Sequence, residues 1–164
     1  MRIYIPATLH EVRQENFGAG GRVIHALTPL LREYFERVEK RSYDDESLEY
    51  AAFIAAADTA IDLLAHSENE PLQRVVIAAD VPDDFVTLVN QAEDHTLRGA
   101  ELPSAMELRQ PVTLTEIVSF HVDEDTSRVA NVLRAAINGG EEEREKADEL
   151  DLLWFDVSEL SELS

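Results

Sequence analysis

Four aspartates stand where strands are expected to end, and they are the residues whose type and spacing first suggest chemistry: Asp80, Asp123, Asp125 and Asp156. If those strands ran parallel, their carboxyl ends would gather at one edge of a sheet, where α/β proteins build ligand sites. Carboxylates gathered there suit magnesium, manganese or calcium, because hard cations take oxygen ligands. Asp80, Asp123 and Asp156 are the candidate metal ligands, with His121 as a further ligand or base, and the chemistry would be metal-assisted hydrolysis. The same residues have a plainer use. Asp caps helices and often closes strand-to-helix loops, and Pro82-Asp83-Asp84 suits a helical first turn with its positive dipole end. Capping is the expectation, and no cofactor is expected.

Other constellations weaken on inspection. Ser119, His121 and Asp123 have the residue types of a nucleophile, base and orienting acid. Alternate residues of a strand are about 6.6 Å apart along one face, too far for the hydrogen bonds a triad needs. A polar strand face with Val118, Phe120 and Val122 turned to the core is expected instead. Gly18-Ala19-Gly20-Gly21 follows a helix and opens a strand, the reverse of a phosphate-binding loop, so it reads as a turn. Asp58 and Asp62, one turn apart on a helix, read as its solvated edge. His25 shares a strand face with Val23 and Leu27 and reads as a hydrogen-bonded core histidine, while His10, His66 and His95 have no partner at metal spacing. Trp154 and Phe155 point to opposite faces of a strand, one to the core; the other would fit a dimer contact if exposed, and its burial under the C-terminal helix is the expectation.

Composition removes whole classes of function. The chain has 164 residues, 34 acidic against 14 basic, a net charge of −20, and no cysteine. That charge repels phosphate backbones, so nucleic acid is not an expected partner. Without cysteine there are no disulfides, thiol nucleophiles, iron–sulfur clusters or ordinary structural zinc sites. No apolar run approaches the length of a membrane span, and a proline at position 6 interrupts any signal-peptide core, so a cytoplasmic location is expected. Hydrophobic residues make up 45% of the chain, enough for a folded domain rather than a disordered one. A chain of this length buries about two thirds of its unfolded surface.

The elements that must position these residues follow from hydrophobic period. Strands are expected at 2–6, 22–27, 73–79, 117–122 and 152–155, with a further edge strand near 107–114. Val75 to Ala79 is apolar on both faces and should lie mid-sheet. Thr8 with Glu11 forms a capping box, Thr28-Pro29 starts a second helix, and Asp45 to Ala65 is the longest. A helix from Asp125 ends at Gly139-Gly140, Glu141 to Leu150 continues as a charged helix, and Val157 to Leu163 forms a last short one. The unit from 117 to 155 reads strand, helix, helix, strand with parallel pairing. Residues 90–112 read as a loop or insertion. The fold class is α/β, with α+β as its variant: one domain over residues 1–164 with a mixed sheet of about five strands, either a ferredoxin-like core with additions or a doubly wound sheet.

Arg2-Ile-Tyr-Ile-Pro-Ala-Thr8, Leu48-Glu-Tyr-Ala-Ala-Phe-Ile-Ala-Ala-Ala-Asp58, Val75-Val-Ile-Ala-Ala-Asp80 and Asp151-Leu-Leu-Trp-Phe-Asp-Val157 together resemble an uncharacterised family of small actinobacterial proteins. The resemblance implies a cytoplasmic protein from a GC-rich bacterium, in line with twelve arginines against two lysines, Lys40 and Lys146. It implies no activity and transfers no catalytic residue. The functional expectation is a non-enzymatic acidic interaction or regulatory domain, with a basic protein partner or a homodimer. The alternative is a divalent-metal-dependent hydrolase using the strand-end aspartates.

Overall fold

Alternation in the first strand divides the protein into two layers of core. In β1 (Arg2–Ala7), Ile3, Ile5 and Ala7 face one side of the sheet and Tyr4 the other. The computed structural model describes residues 1–40, 42–67, 70–89 and 98–163. Six further strands are β2 (Val23–Ala26), β3 (Val75–Asp80), β4 (Val86–Thr87), β5 (Ala105–Leu108), β6 (Ile117–Val122) and β7 (Leu153–Asp156). They form one sheet in the order β4-β5-β2-β1-β3-β6-β7, and every neighbouring pair is antiparallel.

Five α-helices among the described residues pack with it: α1 (Leu9–Arg13), α2 (Pro29–Arg37), α3 (Asp45–Ala65), α4 (Ser127–Asn138) and α5 (Glu141–Asp148). The Thr8–Glu11 capping box and the Thr28 cap with Pro29 behind it start α1 and α2 as their residues dictate. α3 spans the expected residues. Its Ala52, Ala56 and Ala57 are buried with Tyr4, Val76 and Ala78, because small side chains let the helix lie close on the sheet. The opposite face is covered by α1, Phe17, Val112 and Leu163 of the C-terminal turns at Val157–Leu163.

The sheet corrects the expected topology. β6 and β7 are antiparallel, not parallel. A single crossover helix returns the chain to the end where its strand began, but α4 and α5 are two, joined at Gly139–Gly140, and the second cancels the first. The sheet has seven described strands rather than about five, and its antiparallel pairing is not that of a doubly wound sheet. One split β-α-β unit is present, since β1 lies between β2 and β3, but the second half of a ferredoxin-like core is missing because β6 and β7 are neighbours. Of the loop expected at 90–112, residues 90–97, with His95, lie outside the described residues. Residues 98–112 supply a 3-10 turn at Arg98–Glu101 and the strand β5, which pairs β2 to β4.

Candidate functional site

The strand-end aspartates are dispersed by the antiparallel sheet. Arg2 is paired with Asp80 and Val75 with Val122, so Asp80 and Asp123 lie at opposite ends of β3. Asp156 is opposite Ser119, toward the Asp80 end, with β6 between it and β3. Each carboxylate is also engaged. Asp80 accepts from Arg2 Nε at 2.6 Å and Nη2 at 3.1 Å, and this hydrogen-bonded arginine holds its pKa below the usual range. Asp123 accepts from the Arg74 backbone N–H and Nε, both at 2.8 Å, and from Nη2 at 2.9 Å. Asp156 accepts from the Ser158 N–H at 2.9 Å and Oγ at 2.6 Å, closing the turn that follows β7. Only Asp156 among these acts as a local cap, since Thr126 rather than Asp125 caps α4. Among the described residues no group of three or more histidines and carboxylates is placed to hold a metal ion.

Ser119 and His121 overturn the distance argument made from strand spacing: Ser119 Oγ lies 3.0 Å from His121 Nε2. The spacing of alternate residues separates their Cα atoms, and the imidazole extends its far nitrogen across that gap. A register shift at Ala78/Ala79 turns the strand locally and leaves Val118 half-buried beside Ser119 rather than in the core. Asp123 does not complete a triad, because Arg74 holds it at the end of β6.

These two side chains lie in a cleft of about 970 Å³ between the N-terminal half of α3 and strands β6 and β7. Its walls are aromatic: Tyr4, Phe35, Tyr43, Tyr50, Phe53 and Trp154, with Arg2, Ser119 and His121 between them and Glu46, Glu49 and Asp151 along the lining. Phe53 organises one wall. Its ring meets Tyr4 edge-on at 5.9 Å, stacks with Tyr50 at 6.2 Å and meets His121 at 4.9 Å. Tyr50 and Trp154 are 62% and 60% exposed, whereas the expectation for the outer aromatic of β7 is burial under the C-terminal helix. The C-terminal turns pack on the other face of the sheet, against Phe155, and leave Trp154 open.

Burial and neighbouring charges set the protonation states in the cleft. Burial, and then the nearby Arg2 charge, push the His121 pKa down to about 4, so the imidazole is neutral at pH 7. Arg2 is bound to Asp80, which raises its own pKa. Burial, followed by the Glu49 charge, raises that of Tyr4. Ser119 is only 3% exposed.

Asp58 and Asp62 are not a solvated edge. Arg144 of α5 donates from Nη1 to Asp58 Oδ1 at 3.0 Å and from Nη2 to Asp62 Oδ1 at 2.5 Å, and Asp62 is 4% exposed. The signal lay in Arg144, an arginine on an acidic helix otherwise written for solvent. Nearby Asp148, though in contact with solvent, has its pKa raised to about 6, first by desolvation and then by Asp58. A raised folded pKa favours folding while the proton is bound, and that contribution is lost as pH rises through about 6. Asp148→Asn is therefore expected to gain stability over the parent at pH 7, to gain less at pH 5, and to match it only below the unfolded carboxyl value of 3.8. Urea midpoints at the two pH values check this, and a gain that is the same at both would refute it.

A single antiparallel sheet with helices on it and an aromatic cleft at one end defines a small α/β domain with a preformed concave surface. The chain belongs to a family of unknown function, DUF6912, whose model matches residues 1–163. No curated protein and no solved structure matches it. Among the described residues no helix is long and apolar enough to cross a membrane.

Proposed function

We propose that this protein is a non-enzymatic interaction domain that recognises its partner in the cleft between α3 and β6–β7. The observation that carries this reading is the pair of exposed aromatics, Tyr50 and Trp154, lining a concave surface of about 970 Å³, since large apolar side chains are left in water where something binds. The partner is protein rather than nucleic acid, which a net charge of −20 repels. The arginine-biased composition supports an actinobacterial source for it.

Trp154 is the only tryptophan, so its fluorescence reports occupation of the cleft directly. In a screen of small aromatic fragments, several are expected to shift Trp154 emission and to lose affinity on Tyr50→Ala. An absence of hits, or hits indifferent to Tyr50, would overturn the reading.

The Ser119–His121 contact favours a second reading, a serine hydrolase, in which a fluorophosphonate probe would label Ser119. No labelling is expected, because the hydroxyl is buried and no carboxylate orients His121 from the strand. The metal-hydrolase alternative requires Asp80, Asp123 and Asp156 to exchange Arg2, Arg74 and Ser158 for a cation. A melt of chelator-stripped protein with magnesium, manganese or calcium is expected to match sodium chloride at equal ionic strength. A saturable extra shift for one ion would restore that alternative.

A further inference from the structure

We propose that the occupant of the cleft is an extended, arginine- or lysine-bearing segment of a partner protein that adds to the sheet along the outer edge of β7. This rests on the cleft being the recognition surface and names what enters it.

β7 ends the sheet, and among the described residues no strand pairs with its outer side. Such an edge presents backbone donors and acceptors to an added strand, here around Trp154, since the Asp156 N–H is given to Glu159 Oε1 at 3.1 Å. The register aims that strand at the cleft. Trp154 is directly opposite His121, so both side chains leave the same face, the one that α3 walls. A strand laid beside Trp154 sends every second side chain to that face, because the period is two.

Charge selects the sign of those side chains. Arg2 is cancelled by its two hydrogen bonds to Asp80. Glu46, Glu49 and Asp151 line the cleft, and none forms an ion pair with a described residue. A guanidinium or ammonium group entering here meets uncancelled carboxylates and exposed aromatic faces, the combination that favours cations. The net charge of −20 steers a basic segment in from a distance. A second copy is the wrong occupant, since edge-to-edge pairing of two β7 strands would bring Asp151 and Asp156 of each copy together in two chains of like charge.

Nine-residue peptides alternating Thr with Arg, Gln or Glu test this by Trp154 fluorescence in 150 mM salt. The Arg peptide is expected to bind at least tenfold more tightly than the Gln peptide, with the Glu peptide weakest. Methylating alternate backbone nitrogens of the Arg peptide should cost at least tenfold, as strand addition requires. Glu49→Lys and Asp151→Lys should each weaken it severalfold, while Glu142→Lys, an equal change of net charge on α5, leaves it within twofold. Equal affinity for the three peptides, indifference to N-methylation, or an equal effect of Glu142→Lys would overturn the proposal, as would a dimer in sedimentation that Trp154→Ala abolishes. If aromatic fragments bind and no peptide does, the occupant is wrong and the cleft stands as a site. If neither binds, the functional reading fails as well.

Discussion

Asp123→Asn is expected to destabilise the fold by about 3–5 kcal/mol, the usual cost of breaking a buried ion pair from one side. Arg74 and Asp123 are each 1% exposed, and the carboxylate takes three hydrogen bonds from Arg74, one of them from its backbone. Removing the charge deprives the buried guanidinium of its hydrogen-bonded counter-ion and gives one of its donors an amide NH₂ to face. For a domain of this size the loss corresponds to a fall in Tm of about 10 °C. Urea unfolding at pH 7 measures it. The double change Arg74→Met with Asp123→Leu should recover part of the loss, because apolar replacement of both partners removes the unpaired charge but leaves the Arg74 backbone N–H without its acceptor. A change below about 1 kcal/mol in the single variant would show that the pair is not buried as described. The same substitution separates two uses of Asp123: a metal ligand would lose cation binding, whereas this partner of Arg74 loses stability.

What the residues disclosed and what they concealed divides along the range of the interaction. α3 was legible to the residue because Asp44 caps it and its apolar period runs unbroken. β3 was legible because both of its faces are apolar, and it lies inside the sheet with β1 on one side and β6 on the other. The parallel direction expected for β6 and β7 was wrong, although two helices broken at Gly139–Gly140 make two passes and return β7 antiparallel to β6. Asp80 and Asp123 are parted instead by the antiparallel β3–β6 pair, whose long connection carries no clear period. β4 escaped because two residues carry no period. Backbone spacing hides the Ser119–His121 contact, because the reach of the imidazole closes the gap between alternate Cα atoms. His25 and the glycine turn needed only local reasoning: Gly18 and Gly21 have φ of +114° and +92°, which favour glycine. The cleft was illegible because it is a gap between elements distant in sequence, and Tyr50 and Trp154, each plausible as core, become its walls only when no element covers them.

Wild-type protein is expected to lose stability in acid through one buried histidine, and His25→Gln should remove that loss. His25 is fully buried, with Nδ1 2.7 Å from Ser104 Oγ and Nε2 2.8 Å from Thr59 Oγ1. Thr59 gives its one hydroxyl proton to the Ala55 carbonyl at 2.9 Å, so it accepts from His25 Nε2–H, and Nδ1 must accept the proton of Ser104. Gly99 packs so closely on Thr59 and His25 that a Cβ there would fall 1.9 Å from Thr59 Oγ1, which leaves no room for a water to solvate an imidazolium. Protonating Nδ1 would set a donor against Ser104 with no carboxylate among the described residues to balance the charge, and burial accordingly lowers the pKa from 6.5 to about 3. The sign follows from linkage: a depressed folded pKa supplies stability above the unfolded value, and that stability is lost as pH falls from 6.5 toward about 3. By pH 4 the loss from this residue is about 3 kcal/mol. The carboxylates of a −20 chain titrate over the same range, so the readout is the difference in unfolding free energy between wild type and His25→Gln, in which they cancel. That difference should shrink by about 3 kcal/mol between pH 7 and pH 4, with the variant the less stable of the two at pH 7, where it lacks the hydrogen bonds of the imidazole. If the variant does not fold, the wild-type imidazole resonances decide instead. His25 should keep the shifts of a neutral Nε2–H ring at pH 4, and titration near 6.5 would show that the Ser104–His25–Thr59 chain opens to water.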